Sequence, residues 1–203
     1  MDASTESVDR LLRDLQHRVK NIAAVIRSIA RKTADTSTDL ESFQERFDGR
    51  LGALVRAHAA MSRTTDRGVD LEELVHDALL ENSAGSANWS VEGPAVRLEA
   101  PLIETLALIF HELAAEAANG GAFDVPGPDL SVRWSVDHAA RRLHLEWRET
   151  GLAQRSSPEE FAFAEELLRS ALPYQFNGAA EWGVGADGLW CILDLPTRAG
   201  VAP

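Results

Sequence analysis

The chain has 203 residues, of which 45% are hydrophobic, and its formal net charge is -12 at pH 7. This apolar content suffices for a folded core and excludes a disordered chain, while the acidic charge disfavours nucleic acid and anionic membranes as partners. The single cysteine, Cys191, excludes an intramolecular disulfide and a cysteine-based zinc site. No run reaches the roughly 18 apolar residues of a membrane span, and the N-terminus lacks the apolar core of a signal peptide. The sequence therefore predicts a soluble, cytoplasmic protein whose partners are other proteins.

The first part of the sequence predicts a helical hairpin. Apolar residues recur in steps of three and four from Ser7 to Thr33, and the same stepping returns from Leu40 to Met61 after a polar break. Two helices with such narrow apolar stripes cannot bury them well against each other, so we expect a four-helix bundle built by two chains, a homodimer. The polar segment around Gly68 breaks the pattern, which assigns residues 1–66 to this dimerisation hairpin.

Residues 67–203 mix helices with antiparallel strands. Asp70 is placed to cap one helix, a second runs from Pro101 to Gly120, and a third is expected from about Pro158 to Leu172. Alternation of apolar and polar residues at period two predicts two strand pairs, in LSVRWSV with RLHLEWRE and in AAEWGVGADGLWCILDLP. The predicted fold class is therefore α+β, an N-terminal helical hairpin followed by a two-layer α/β sandwich.

His17 is the first candidate functional residue, because the heptad pattern places it opposite the apolar stripe of its helix. Helical spacing puts Arg13, Lys20 and Asn21 on the same face, and Arg18 is its neighbour in sequence. Cations and an amide donor around one imidazole suit a phosphoryl group, whose oxygens accept charge-assisted hydrogen bonds. The alternative is a solvated charged face with no further role.

The segment LQHRVKN, continuing as AVIRSIARKTA and then FQERFDGRLGALVRAH, resembles the phosphoacceptor hairpin of the HWE family of bacterial histidine kinases. HELAAEAANGGA resembles the N-box helix of that family, and Trp147 and Glu149 in EWRETG match its WxE motif. The similarity runs from about Leu11 to Pro196. It implies that His17 is the phosphorylated residue and that residues 67–203 adopt the histidine-kinase ATPase (Bergerat) fold.

The nucleotide site departs from the family pattern, in which the N-box resembles HELxTNAxKYGA. His111 and Glu112 match that box, but Glu116 and Asn119 stand where the asparagine and the lysine are expected. A carboxylate at Glu116 could still ligate Mg²⁺, which prefers oxygen ligands. Gaining a carboxylate and losing an ammonium next to an anionic nucleotide is nevertheless unfavourable. We therefore expect the ATP site to be degenerate. Its residues would be His111, Glu112, Glu116, Trp147 and Glu149.

The glycine-rich lid of the family departs as well, since its GFG-like turn aligns with Ala162, Phe163 and Ala164. Without these glycines the backbone loses its close approach to phosphates. The sequence therefore predicts that this chain binds neither ATP nor a metal of its own.

The predicted function is that of a histidine phosphotransferase, which passes phosphoryl groups between receiver-domain aspartates through His17. The receiver domains of response regulators would be its partners and would supply Mg²⁺, and a sensor kinase is a further candidate partner. Two alternatives stay open. One is an active HWE-type autokinase with a divergent ATP site, and the other is a non-catalytic adaptor that binds receivers.

Overall fold

The computed structural model describes residues 3–64, 68–83, 88–123, 130–151, 161–185 and 188–197, without the side chains of residues 3–11, 13–15, 17 and 18. The chain divides into two compact units, Met1–Leu51 and Gly52–Pro203. The predicted domain boundary after residue 66 stays a prediction, since residues 65–67 lie outside the described ranges. Within those ranges, no helix combines the length and the apolar composition needed to cross a membrane.

The first unit contains an antiparallel pair of helices, α1 (Ala3–Thr36) and the first half of α2 (Leu40–Arg63). Near the turn, the Arg50 guanidinium donates to the Thr33 hydroxyl at 2.9 Å, and Arg46 donates to the carbonyl of Thr36 at 3.2 Å. Arg50 is only 2% exposed, so this polar contact is buried inside the hairpin. The helical hairpin predicted from the sequence is confirmed.

The turn of the hairpin ends in a capped helix. The backbone N–H of Ser42 donates to Asp39 Oδ1 at 2.7 Å, and the backbone N–H of Asp39 lies 3.3 Å from the Ser42 hydroxyl. This reciprocal pair satisfies donors that the first turn of α2 would otherwise leave unbonded. The hydrogen bond from the Ser42 backbone also holds the pKa of Asp39 below its usual value of 3.8.

The α/β part of the second unit contains two long helices. Asp70 caps α3 (Leu71–Asn82) by accepting from the backbone N–H of Glu72 at 3.1 Å, as its position in the sequence predicts. Helix α4 (Ala100–Asn119) has Pro101 in its first turn, where a missing N–H costs nothing. The second half of α2 also belongs to this unit, because Ala57 and Ala60 are each 1% exposed within its core.

The sheet of the second unit is mixed. Strands β2 (Trp89–Glu92), β4 (Leu130–Asp137), β5 (Arg142–Glu149), β6 (Ala179–Val184) and β7 (Leu189–Pro196) are arranged in the order β2-β4-β5-β7-β6. Strand β2 runs parallel to β4, and the other neighbours are antiparallel. A short separate ladder joins β1 (Val69–Asp70) to β3 (Arg97–Leu98). The four long strands were predicted, whereas β1, β2 and β3 were not.

One face of this sheet is buried against helices. Alternate residues of β5, namely Leu143, Leu145, Trp147 and Glu149, are buried, while the residues between them are exposed or half-buried. Leu143, Leu145 and Trp147 share one hydrophobic core with buried apolar residues of α3 and α4. The second unit is therefore a two-layer sandwich with an open outer sheet face, as expected from its α+β pattern.

The last helical segment contains a widened turn. It runs through α5 (Ala162–Glu166), a π-helical turn (Leu167–Ala171) and α6 (Leu172–Phe176). In the π turn the backbone N–H of Leu172 donates to the carbonyl of Leu167, five residues earlier. Pro173 follows at once, and a proline has no N–H and crowds the preceding turn, which explains the wider winding. The predicted helix start near residue 158 lies outside the described residues.

Candidate functional site

The predicted phosphoacceptor lies on α1. His17 is part of the helical backbone of α1, but its side chain, like those of Arg13 and Arg18, lies outside the described residues. Lys20 and Asn21 are exposed, and they sit three and four residues after position 17 on the same helix face. The helix thus brings Lys20 and Asn21 to the face of residue 17, while the side-chain geometry around His17 remains a prediction.

Two apolar residues towards the N-terminal end of α1 are exposed. Leu12 is 50% exposed and Val19 is 57% exposed, whereas Ile29, nearer the turn, is 1% exposed. Ile22 and Ile26 are half-buried between these extremes. Exposed branched apolar side chains in a heptad pattern are typical of a helix that packs against a second chain.

Helix α4 carries the residues that match the N-box. His111, Glu112 and Glu116 are all buried, with 7%, 8% and 8% of their surfaces exposed. Glu112 and Glu116 are one helical turn apart and so lie on the same face of α4. Asn119 is exposed at the C-terminal end of the helix. Paired carboxylates on one face can ligate a hard divalent cation, but they repel phosphate oxygens.

Strand β5 carries the residues that match the WxE motif. Trp147 and Glu149 point to the same, buried face because they are two residues apart in a strand. The indole Nε1 of Trp147 donates to Glu149 Oε1 at 3.1 Å, with the two residues 0% and 2% exposed. The structure therefore joins two of the predicted site residues directly, and the indole holds one oxygen of the buried carboxyl group in place.

A glycine between β6 and β7 fits closely against Glu149. Gly188 has φ +154°, and a Cβ added there would lie 2.3 Å from the backbone oxygen of Glu149. Any larger residue would have to displace the end of β5. In the sequence, the only signal is a glycine directly before an apolar strand. The contact with Glu149 joins segments that are far apart in the chain, so the sequence does not predict it.

The segment that aligns with the lid is only partly described, since residues 152–160 lie outside the described ranges. Helix α5 begins at Ala162, and Phe163 and Ala164 are both buried. The residues that align with the GFG-like turn therefore form the first turn of a packed helix.

Sequence reasoning did not find a group of charged residues on α3 and on the second half of α2. Burial, followed by the nearby carboxylate of Glu73, raises the pKa of Asp77 above its usual value of 3.8, while Arg63 and Arg56 lower it. Arg63 itself pairs with Glu73. Because these groups lie on packed helices and several are paired, they act as a structural network.

The remaining titratable candidates are structural. His58 Nε2 lies 3.3 Å from Glu104 Oε1, and the ring of His76 meets Trp89 edge-on with 4.9 Å between ring centroids. Burial raises the pKa of Cys191 to about 12, so its thiol is not a nucleophile at neutral pH. Across the described ranges, no three His, Cys, Asp or Glu side chains are grouped closely enough to hold a metal ion.

Comparison with known proteins identifies relatives of this chain. The family model described as HWE histidine kinase matches residues 14–95. A blue-light-activated histidine kinase of Rhizobium johnstonii is 27% identical over 197 residues, covering 97% of this chain and 56% of that protein. Another from Brucella anthropi is 29% identical over 194 residues, covering 94% of this chain and 40% of that protein. The chain thus spans about half the length of these relatives, or less.

Solved structures agree in fold. The Erythrobacter litoralis EL346 blue-light activated histidine kinase has a TM-score of 0.58 at 18% identity, covering 94% of this chain and 64% of that one. The histidine kinase domain of the same protein has a TM-score of 0.57 at 14% identity, covering 98% of this chain and 96% of that one. At these identities the likeness concerns the fold, an N-terminal helical pair followed by a histidine-kinase ATPase-like sandwich. Residues 14–95 are thus similar in sequence to HWE histidine kinases, and the chain is similar in fold to a blue-light activated histidine kinase.

Proposed function

We propose that the chain is a histidine kinase of two-component signalling in which His17 accepts the γ-phosphoryl group of ATP. The observation that carries this proposal is the family match over residues 14–95, which includes His17. Similarity to proteins named histidine kinases over 97% and 94% of this chain supports it further. These comparisons favour the autokinase, an alternative that the sequence leaves open, over the phosphotransferase that the sequence alone predicts.

The proposed chemistry is two successive phosphoryl transfers. A ring nitrogen of His17 forms a bond to phosphorus as the bond from phosphorus to the leaving oxygen of ADP breaks. A receiver-domain aspartate then attacks the same phosphorus, and the bond to His17 breaks. Lys20 and Asn21, with Arg13 and Arg18, would neutralise and position the group in transit.

The buried carboxyl groups on α4 bear on how ATP would be held. Glu112 and Glu116 lie on one face of the helix, and carboxylate oxygens are ligands that Mg²⁺ prefers. With Mg²⁺ bound there, its positive charge would offset the repulsion between these carboxylates and the phosphates. The described residues therefore fit the metal of a metal–nucleotide complex better than they fit the nucleotide alone.

The second candidate is a histidine phosphotransferase that does not bind ATP. It is favoured by two observations: a carboxylate at Glu116 where the family has asparagine, and the packing of Phe163 and Ala164 where the family has a glycine-rich lid. In that case an aspartyl phosphate of a receiver would be the donor, and the receiver would bring the Mg²⁺. A sensor kinase would then load the first receiver.

Either candidate would work as a homodimer. The exposed side chains of Leu12 and Val19 on α1 support this, because a second copy of the hairpin would bury them in a four-helix bundle.

A paired labelling assay tests the proposal. Purified protein is incubated with γ-labelled ATP and Mg²⁺, and separately with labelled phospho-receivers. His17→Ala is compared with wild type, and His138→Ala serves as a control at an exposed histidine. Label from ATP that is lost only in His17→Ala supports the kinase. Label only from receivers supports the phosphotransferase, and no label from either donor overturns both and favours a receiver-binding adaptor.

A further inference from the structure

We propose that the edge strand β6 is a docking site for an extended segment of a partner protein in which apolar and basic residues alternate. This proposal is independent of phosphoryl transfer at His17. It rests on the backbone of the strand, on its side chains and on the charge of the chain.

Strand β6 lies at one edge of the sheet, at the end of the strand order β2-β4-β5-β7-β6. The hairpin to β7 is closed by a hydrogen bond of 2.9 Å from the N–H of Gly185 to the carbonyl of Gly188. In an antiparallel ladder the bonded pairs alternate, so counting back in steps of two gives Gly183 and Glu181 the bonds to β7. The backbone N–H and carbonyl groups of the residues between them therefore point to the open edge of the sheet, away from β7. These residues are Ala180, Trp182 and Val184.

Outward-pointing backbone groups of this kind pair readily with another extended chain, and proteins usually protect them. The opposite edge of the sheet, strand β2, is protected from pairing with another chain. Strand β2 has only four residues and is followed by Gly93 and Pro94. Its last residue, Glu92, pairs with Arg133, with 3.3 Å between Oε2 and Nε. Strand β6 has six residues and contains no proline, lysine or arginine. Nor do the described residues form any further backbone hydrogen bond to its outer edge. An added strand would satisfy these groups by β-augmentation.

The side chains of β6 indicate what the added strand would contain. Ala180, Trp182 and Val184 lie on the helix-facing side of the sheet, where Val184 is 65% exposed. The guanidinium of Arg169 lies 4.9 Å from the centroid of the Trp182 ring, so a further cation there would be repelled. Neighbouring residues of adjacent strands on one face interact directly. Apolar side chains of the partner are therefore expected beside Trp182 and Val184.

The other side of the strand presents a carboxylate. Glu181 is exposed on the outer face of the sheet, and none of the described side chains forms an ion pair with it. A lysine or arginine beside it would be favourable, and an acidic residue would not. Side chains of a strand alternate between the two faces of the sheet. A partner strand with apolar residues on one face and basic residues on the other therefore has a sequence in which apolar and basic residues alternate. The net charge of -12 favours a basic partner at this edge.

The test uses the full chain and two synthetic peptides, one alternating valine with arginine and the other alternating valine with glutamate. We expect the arginine peptide to bind more tightly, by about fivefold or more, and to shift the amide NMR signals of Ala180, Trp182 and Val184. In Glu181→Lys the preference should reverse in favour of the glutamate peptide.

Ala180→Pro is the second variant, since it removes an outward N–H without removing a bond to β7. It should abolish binding of both peptides while the circular dichroism spectrum stays native. The proposal is overturned if neither peptide binds or if binding leaves the β6 amides unshifted. It is equally overturned if Glu181→Lys keeps the wild-type preference.

Discussion

The hydrogen bond between Trp147 and Glu149 makes a quantitative prediction. Trp147→Phe removes the indole N–H that donates to Glu149 Oε1 at 3.1 Å. Water cannot replace this donor easily, because the two residues are 0% and 2% exposed. Hydrogen bonds to charged acceptors contribute about 1.5–3 kcal/mol, and the smaller ring adds about 1 kcal/mol for lost contacts. The free energy of unfolding should therefore fall by about 2.5–4 kcal/mol.

Trp134→Phe is the matched control. Trp134 is 6% exposed, and its indole donates to the backbone carbonyl of Pro94 at 2.7 Å, a neutral acceptor. Its hydrogen bond is expected to contribute about 0.5–1.5 kcal/mol, with a similar loss of contacts. The cost of Trp147→Phe should exceed the cost of Trp134→Phe by about 1 kcal/mol or more.

Urea unfolding followed by far-UV circular dichroism measures both costs. A double-mutant cycle with Glu149→Leu, which removes the acceptor oxygen, then isolates the coupling between Trp147 and Glu149. If Trp147→Phe costs no more than Trp134→Phe, or if the coupling is close to zero, the buried indole–carboxyl contact does not stabilise the second unit as argued.

Three further predictions follow from buried or strained positions. Asp77→Asn should raise the midpoint of thermal unfolding at pH 7. The pKa of the Asp77 carboxyl is raised in the folded state, so the stability that its protonation contributes is lost as pH rises through the raised pKa. The stability gained by Asp77→Asn should therefore shrink as pH falls towards 3.8. Thr33→Val removes the hydroxyl that accepts from buried Arg50 and should cost about 1–3 kcal/mol in urea unfolding; an unchanged unfolding curve would contradict the buried contact. Gly188→Ala should destabilise the chain by about 2 kcal/mol or more because of the positive φ of Gly188 and the close backbone oxygen of Glu149. Gly52→Ala is the control, since Gly52 lies inside α2 and faces only a flexible side chain; it should be neutral or stabilising by up to about 1 kcal/mol. Equal effects of the two substitutions on the free energy of unfolding would count against backbone strain at position 188.

Local patterns in the sequence predicted the elements that local physics determines. The heptad spacing of α1 and α2, the cap at Asp70 and the alternation in β4 and β5 depend on residues close together in the chain, and the structure contains all of them. Strand β2 escaped prediction because it has four residues and its partner, β4, lies far along the sequence. The π turn before Pro173 escaped it because a proline shows that a helix is disturbed without showing how the helix adapts.

The candidate site could be predicted in part for the same reason. Trp147 and Glu149 are two residues apart in a strand, so their shared face follows from period two. Their burial and the fit of Gly188 against Glu149 depend on how β5 meets β7, which no local pattern encodes. The surroundings of His17 remain a prediction, since its side chain lies outside the described residues.

The way the chain divides inside helix α2 affects how it can be cut or recombined. Ala57 and Ala60 occur before the polar segment at residues 65–67, yet both are core residues of the unit that starts at Gly52. A fragment that began after α2 would leave the apolar surface beneath these alanines open to water and prone to aggregation. A gene fusion or an expression fragment of the α/β part would keep its core complete only if it retained the C-terminal half of that helix.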